Sequence, residues 1–399
     1  MSTIQRERLP NGLWLLAEPM EGVESVAMSL LLPAGAATEG AEDQGVAALL
    51  AEMMCRGAGD LDRLGVDRGT SVQVNHLTLG ASMIGSKLPD ALPLLLNMAR
   101  RPRLGDDSLE PSRDLAVQSI ESLEDEPQQK VMLELRRLHH PAPFGRSPLG
   151  QLPALERLTA DDVRGFWRSR CVPQGAVLAF AGKLQWTELR EQVRRLTDDW
   201  TGDAPEPVEL ASAKRGYRHE KAESTQVHIG LACDAPPEPD ADAMTQRAAV
   251  AVLSGGMSGR LFTEVREKRG LCYSVYASYA AGRDRGAVFA YSGTTAARAQ
   301  ETLDVLTAEL RRIEQGVSDD EFARAIVGMK SRLVMQGEST GARAAALAGD
   351  QYTLGRPRTL DEVAAQVDAV TAAKVNDYLK RRPAGKFTVV TVGPEALKV

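Results

Sequence analysis

Cysteine is scarce. Cys55, Cys171, Cys233 and Cys272 are scattered over 399 residues with no Cys-x-x-Cys pair, a usage that fits free thiols in a reducing compartment rather than a disulfide framework. Aromatics are only 5% of the chain, too few for a base-stacking surface. There is no basic excess either: 48 Lys and Arg stand against 54 Asp and Glu, a net charge of −6, which argues against a general nucleic-acid or anionic-membrane binder. No run of about 18 apolar residues is present, so no membrane-spanning helix is expected, and the opening residues lack the apolar stretch of a signal peptide. A soluble cytoplasmic protein is the expectation. The common catalytic signatures are also missing: no Gly-x-Ser-x-Gly elbow, no phosphate-binding loop and no dinucleotide fingerprint. The five histidines, His76, His139, His140, His219 and His228, form no His-Glu-x-x-His or His-x-x-Glu-His pair. Adjacent His139 and His140 point about 100° apart on a helix end and are expected to cap helix carbonyls rather than bind a metal.

What is present is a globular composition, 43% hydrophobic and 26% charged, in a chain too long for one core. Short apolar runs at 12–17 and 26–32 read as strands, with a loop at 19–23 between them. Helical spacing of Val46, Leu49, Leu50, Met53 and Met54 predicts a helix over 42–56 ended by Gly57. Alternation over 71–80 predicts one strand. Residues 108–123, 128–138, 244–253, 262–268 and 297–316 read as helices, and 271–280 as a strand with Tyr273, Val275, Ala277 and Tyr279 on one face. Gly270 is a predicted helix C-cap. Capping boxes at Ser318–Glu321 and Thr359–Glu362 open further helices.

Residues 201–218 lose periodicity and collect Pro, Gly and charge, as a linker does. On either side of it the same order of elements recurs. Leu158-Thr-Ala-Asp-Asp-Val matches Val370-Thr-Ala-Ala-Lys-Val, and each block leads to an apolar strand ending in Gly182 or Gly393. The expected architecture is therefore α+β: two duplicated domains, 1–205 and 206–399, each a mainly antiparallel sheet packed with helices.

The stretch from Gly255 to Tyr276, containing Gly255-Gly-Met-Ser-Gly259, Arg266 and Tyr273, resembles the insulinase/pitrilysin family of zinc metallopeptidases in its small processing-peptidase-like branch. The opening Leu9-Pro-Asn-Gly-Leu-Trp-Leu15, Phe144-Gly-Arg-Ser-Pro-Leu-Gly150, the Leu158 block and Leu354-Gly-Arg-Pro-Arg-Thr-Leu-Asp-Glu-Val363 are similar to family blocks in family order. The resemblance implies two duplicated domains, and working particles in which four such domains enclose a chamber. An active member carries His-x-x-Glu-His and a later Glu, which bind zinc and activate water. Here the two His positions fall on Ala48 and Glu52, the catalytic Glu on Ala51, the third ligand on Ser119 and its supporting carboxylate on Ser112. Residues 40–60 contain no His, so no shift of register restores the motif.

The family's second-domain pair is kept. The resemblance assigns Arg266 and Tyr273, seven residues apart, to hold the substrate carbonyl at a partner's zinc. The chain is thus expected to bind no metal, and to be inactive alone. It would serve as the noncatalytic subunit of a heterodimeric zinc endopeptidase whose homologous partner carries the zinc. Its substrates would be peptides or unfolded polypeptides. Two other readings are a proteolytically inactive scaffold subunit of a larger complex, and a peptidase with an unorthodox site built from Glu52, His76 and the His139–His140 pair. A substrate-gating role for Gly255–Gly259 is set against a tight turn between helices.

Overall fold

The computed structural model describes residues 3–56, 59–203 and 210–399. Gly57, the expected domain boundary at 205/206 and the middle of the linker lie outside the described residues. The elements in chain order are strands β1 (Gln5–Arg8), β2 (Trp14–Pro19) and β3 (Ser25–Leu32), helix α1 (Val46–Arg56), strands β4 (Asp67–Val72) and β5 (Leu77–Ile84), helices α2 (Leu88–Arg100), α3 (Leu109–Glu121), α4 (Pro127–His139), α5 (Leu152–Arg157) and α6 (Ala160–Arg170), strand β6 (Val177–Gly182) and helix α7 (Trp186–Thr197). After the linker come β7 (Tyr217–Lys221), β8 (Gln226–Ala235), α8 (Ala243–Ser254), β9 (Cys272–Ala281), β10 (Gly286–Thr295), α9 (Ala299–Arg312), α10 (Asp319–Gly337), α11 (Thr340–Leu354), α12 (Leu360–Asp368), α13 (Ala372–Arg381) and β11 (Thr388–Gly393). Among the described residues no helix is long and apolar enough to cross a membrane.

Two sheets form, with strand orders β1-β2-β6-β3-β5-β4 and β7-β11-β8-β10-β9. Apart from the extra β1, the second repeats the first. In each, the strand after the linking blocks runs parallel to one neighbour (β2 or β7) and antiparallel to the other (β3 or β8). The helices opening the repeated blocks, α6 and α13, start at Thr159 and Thr371, whose hydroxyls accept from Asp162 N–H and Lys374 N–H. That is the N-cap role those residues were placed to fill. The architecture is α+β with a duplicated sheet, as the sequence predicts.

The compact units do not follow a single cut between the halves. One comprises Met1–Ser122, Ala142–Ala211 and Gln336–Thr359; the other comprises Leu123–Pro141, Ser212–Met335 and Leu360–Val399. Each half thus gives one helix to the other unit. In the first unit, one face of the sheet (Leu15, Met28, Leu30, Phe180) packs on Leu49, Leu50 and Met53 of α1 and Leu92, Leu95 and Leu96 of α2. The other face (Leu16, Leu31, Val177, Ala179) is covered by Leu347 and Ala348 of α11. In the second unit Ile229, Leu231 and Val288 pack on α8, α9 and α13, while Ala232, Phe289, Tyr291 and Val390 receive Val131, Met132 and Leu135 of α4. Burial of both faces explains why β3 and β6 read as unbroken apolar runs rather than alternating ones.

A charge fixes α11 to its sheet. Leu16 and Glu18 of β2 point away from the main core, and the buried Glu18 carboxylate accepts from Arg343 of α11 at 2.6 and 2.8 Å. The histidine pair on α4 plays a comparable part, not the helix-capping role expected of it. His139 is buried, with Nδ1 2.9 Å from the Thr388 hydroxyl of β11 and Nε2 3.4 Å from Asp234 of β8. Burial pushes both imidazoles down to about 4, so they are neutral near pH 7.

The single strand expected over 71–80 is a hairpin. Gln73 N–H donates to His76 O at 2.8 Å, and the turn is held by Ala36 and Ala37 N–H, which donate to Gln73 and Val74 carbonyls. The alternation breaks at this turn, where Asn75 and His76 are both polar and the apolar phase passes from Val72 and Val74 to Leu77 and Leu79; reading 71–80 as one strand passed over that break. Helix α2 carries Pro93 inside it and was not expected from the sequence.

Breaking the Glu18–Arg343 pair strands a buried charge, which typically costs about 3–5 kcal/mol. Glu18→Ala is expected to lower the unfolding free energy of the full chain by that amount in urea titrations. Glu18→Leu with Arg343→Met should recover most of it. Equal destabilisation by the single and double variants would contradict this account.

Candidate functional site: a degenerate zinc helix and an exposed Arg–Tyr pair

The positions that the resemblance aligns with a zinc site lie on α1 and α3 of the first unit. Helix α1 buries Val46, Ala47, Leu49, Leu50, Ala51, Met53 and Met54, leaving Ala48 and Glu52, one turn apart, partly exposed. It packs against α3, and Arg56 donates to the Pro111 carbonyl of that helix at 2.9 Å. Ser119 of α3 is exposed and its hydroxyl donates back to Leu115 O at 2.8 Å. Ser112 is fully buried and its hydroxyl has no partner. The donors at the four family positions are therefore a single carboxylate, Glu52, and one hydroxyl already engaged. A catalytic zinc needs about three protein ligands, so these residues do not fit one. Among the described residues no cluster of three or more His, Cys, Asp or Glu side chains is placed to hold a metal, and the set Glu52, His76, His139 and His140 is not assembled as one.

The start of α1 is tied down by a buried acid that the sequence gave no reason to single out. Glu39 accepts from the N–H groups of Gly45 at 3.1 Å and Ala47 at 3.0 Å, while its other carboxylate oxygen is buried without a partner. Arg146, from the Phe144–Gly150 block, donates to the Glu39 carbonyl at 2.6 Å. Burial, against the pull of the two backbone donors and Arg146, raises the Glu39 carboxyl to about 7.

In the second unit a short π-helical turn, Phe262–Glu267, follows α8. Such turns are rare and recur at functional sites. Between them Gly255–Gly259 forms a tight turn, closed by Gly259 N–H donating to Gly256 O at 3.0 Å. Val265 is buried and anchors the π turn, and Gly270 ends it in the left-handed region at φ +59°, the C-cap conformation expected of it. Gly270 and Leu271 N–H donate to Arg266 and Val265 carbonyls, both at 3.0 Å.

The chain then enters β9, the edge strand, paired only with β10. Register runs Ser274 opposite Gly293 but Cys272 opposite Thr294, so Tyr273 is the extra residue of a β-bulge. Bulges re-aim side chains and cluster near active sites. Tyr273 accordingly leaves the strand alternation and stands 84% exposed, whereas Ala277 of the same expected face is buried. The Arg266 guanidinium lies 5.0 Å from the Tyr273 ring centre and 4.8 Å from that of Phe262. The two residues are thus brought together across the Gly270 turn. The family resemblance indicated the pair; nothing in the sequence signalled the bulge, since one inserted residue leaves no periodic trace.

Comparison with known proteins follows the same lines. A family model described as the peptidase M16 inactive domain matches residues 157–329. A protein of Streptomyces coelicolor named an uncharacterized zinc protease is 27% identical, with 99% of this chain and 90% of that protein aligned. A similarly named protein of Bacillus subtilis is 24% identical, with 98% of each aligned. The crystal structure of a peptidase M16 inactive domain from Pseudomonas fluorescens superimposes with a TM-score of 0.87 at 22% identity, covering 100% of this chain and 99% of that one. A protease from Helicobacter pylori gives 0.85 at 15% identity, with 98% and 100% covered.

Because folding raises the Glu39 pKa, its contribution is full below the ordinary value of 4.5 and is lost as pH rises through about 7. Glu39→Gln keeps an acceptor for Gly45 and Ala47 and removes the charge. Relative to wild type, it is expected to gain about 3 kcal/mol between roughly pH 5 and pH 8 in urea unfolding. A wild-type-to-variant difference that stays flat over that range would refute the buried-acid assignment. The chain is thus similar along its whole length to proteins named zinc proteases, and over residues 157–329 it matches the peptidase M16 inactive domain.

Proposed function

We propose that the chain is the noncatalytic subunit of a zinc endopeptidase, lending Arg266 and Tyr273 to the zinc site of a homologous partner. The observation that carries this reading is the placement of Tyr273. A bulge, a π turn and a left-handed glycine together set a phenol in solvent against a guanidinium. Core packing has no need of a tyrosine so exposed. Both groups donate hydrogen bonds, which is what a carbonyl becoming an oxyanion requires during peptide hydrolysis. The partner would supply zinc and activated water; this chain would hold the carbonyl and part of the chamber wall. Substrates are short or unfolded peptides.

An inactive scaffold in a larger complex is the competing reading. The loss of a complete zinc ligand set suits it, but a scaffold has no chemical use for the Arg266–Tyr273 pair.

The test is to mix the chain with a homologue that carries His-x-x-Glu-His from the same genome and follow cleavage of an unstructured peptide. Activity is expected from the mixture and not from this chain alone. Arg266→Ala and Tyr273→Phe should each lower kcat by about 10²–10³, the effect of losing one oxyanion donor, with unchanged assembly. Undiminished cleavage by both variants would refute the contribution and leave the scaffold reading.

A further inference from the structure

Tyr273 stands on the rim of a cleft of about 900 Å³ that lies wholly within the second unit. One wall is the start of α4, including Gln128 and Gln129; the floor is the face of β8 and β10 that carries His228, Tyr291 and Gly293. His228 is only 5% exposed. Its Nδ1 meets the Tyr291 hydroxyl at 2.8 Å, while its Nε2 is buried and has no hydrogen-bond partner. A buried polar atom left unpaired is costly unless something that is not always present completes it. The Tyr291 ring has His228 and Tyr276 as aromatic neighbours, with centres 6.1 and 5.3 Å away.

Gly293 keeps this floor open. A Cβ there would lie 2.7 Å from the Tyr291 oxygen and 3.8 Å from His228 Nδ1, covering the pair. Gly293 also sits where the register slips opposite Tyr273. The irregularity that turns Tyr273 outward therefore also leaves the floor bare beside it.

We infer that this cleft is a side-chain recognition pocket for the peptide held at Tyr273, with His228 Nε2 as its specificity-determining contact for an uncharged hydroxyl or carboxamide side chain. The inference rests on the peptide-binding reading above and deepens it. The floor itself carries no charge; the charged residues of the cleft are Asp125 and Glu126, just ahead of the α4 wall, and Arg298, which is engaged with the Gly270 carbonyl. Burial lowers the His228 pKa, so the ring is neutral near pH 7, and a charged side chain seated on it would be unpaired. A purely apolar side chain would leave Nε2 unsatisfied. A hydroxyl or a carboxamide both donates and accepts, and so satisfies either tautomer of His228. Gln128 and Gln129 on the wall carry the same dual chemistry.

The experiment uses the full chain with ¹⁵N-labelled histidine and two isosteric probes, acetyl-Ala-Thr-Ala-amide and acetyl-Ala-Val-Ala-amide. The His228 resonance is assigned with His228→Phe. The threonine peptide is expected to shift the Nε2 signal saturably and to bind about tenfold more tightly than the valine peptide. Gly293→Ala should abolish that preference while leaving the fold's other histidine signals in place. The same shift is expected in Arg266→Ala, so a failure of the oxyanion reading leaves this result standing. No shift with either peptide, equal affinity for the two, or an unaltered preference in Gly293→Ala would overturn the inference.

Discussion

The constraint on which the rest of the structure depends is that each sheet has two apolar faces and its own half of the chain covers only one of them. α1 and α2 bury one face of the first sheet and α8, α9 and α13 one face of the second. The remaining faces are closed by α11 and α4, each drawn from the other half. An uncovered strip of Leu16, Leu31 and Val177, or of Phe289, Tyr291 and Val390, would drive aggregation. The exchange removes it and adds directional contacts, the Glu18–Arg343 ion pair in one unit and the His139–Thr388 hydrogen bond in the other.

This distribution of packing explains how the zinc motif could be lost without losing the helix that carried it. The buried side of α1 is made by Leu49, Leu50 and Met53, and its first turn is held by Glu39. Of the motif positions, Ala48 and Glu52 lie outside that packing, and Ala51 joins it as a small apolar residue. All three are compatible with helix, so the helix needs no metal donor to be held in place.

The same separation bears on how much the sequence could reveal. Gly270 was legible as a helix end because only glycine enters the left-handed region freely, and the Ser318–Glu321 capping box was legible from its residue spacing and is formed as expected. The repeated block before β6 and β11 marked the duplication for the same local reason. Once the resemblance had placed the motif, residue type alone showed that Ala48 and Ala51 offer no donor and Ser119 only a hydroxyl. What stayed hidden is non-local. The bulge at Tyr273 is one residue without a partner, and the helix exchange is a choice of sheet that no window of a dozen residues records. His228 gave no motif, because its significance comes from Gly293 and Tyr291 on a strand some 60 residues away.

Reciprocal helix exchange has a consequence for ancestry. A polypeptide half this length, with one sheet and one outgoing helix, would satisfy the same contacts only by trading that helix with a second copy of itself. The symmetric trade between α4 and α11 is what such a self-associating precursor would leave behind once its two genes were fused. In a single chain the two halves need not be identical, and here one carries the donor-poor α1 while the other carries the outward-turned Tyr273.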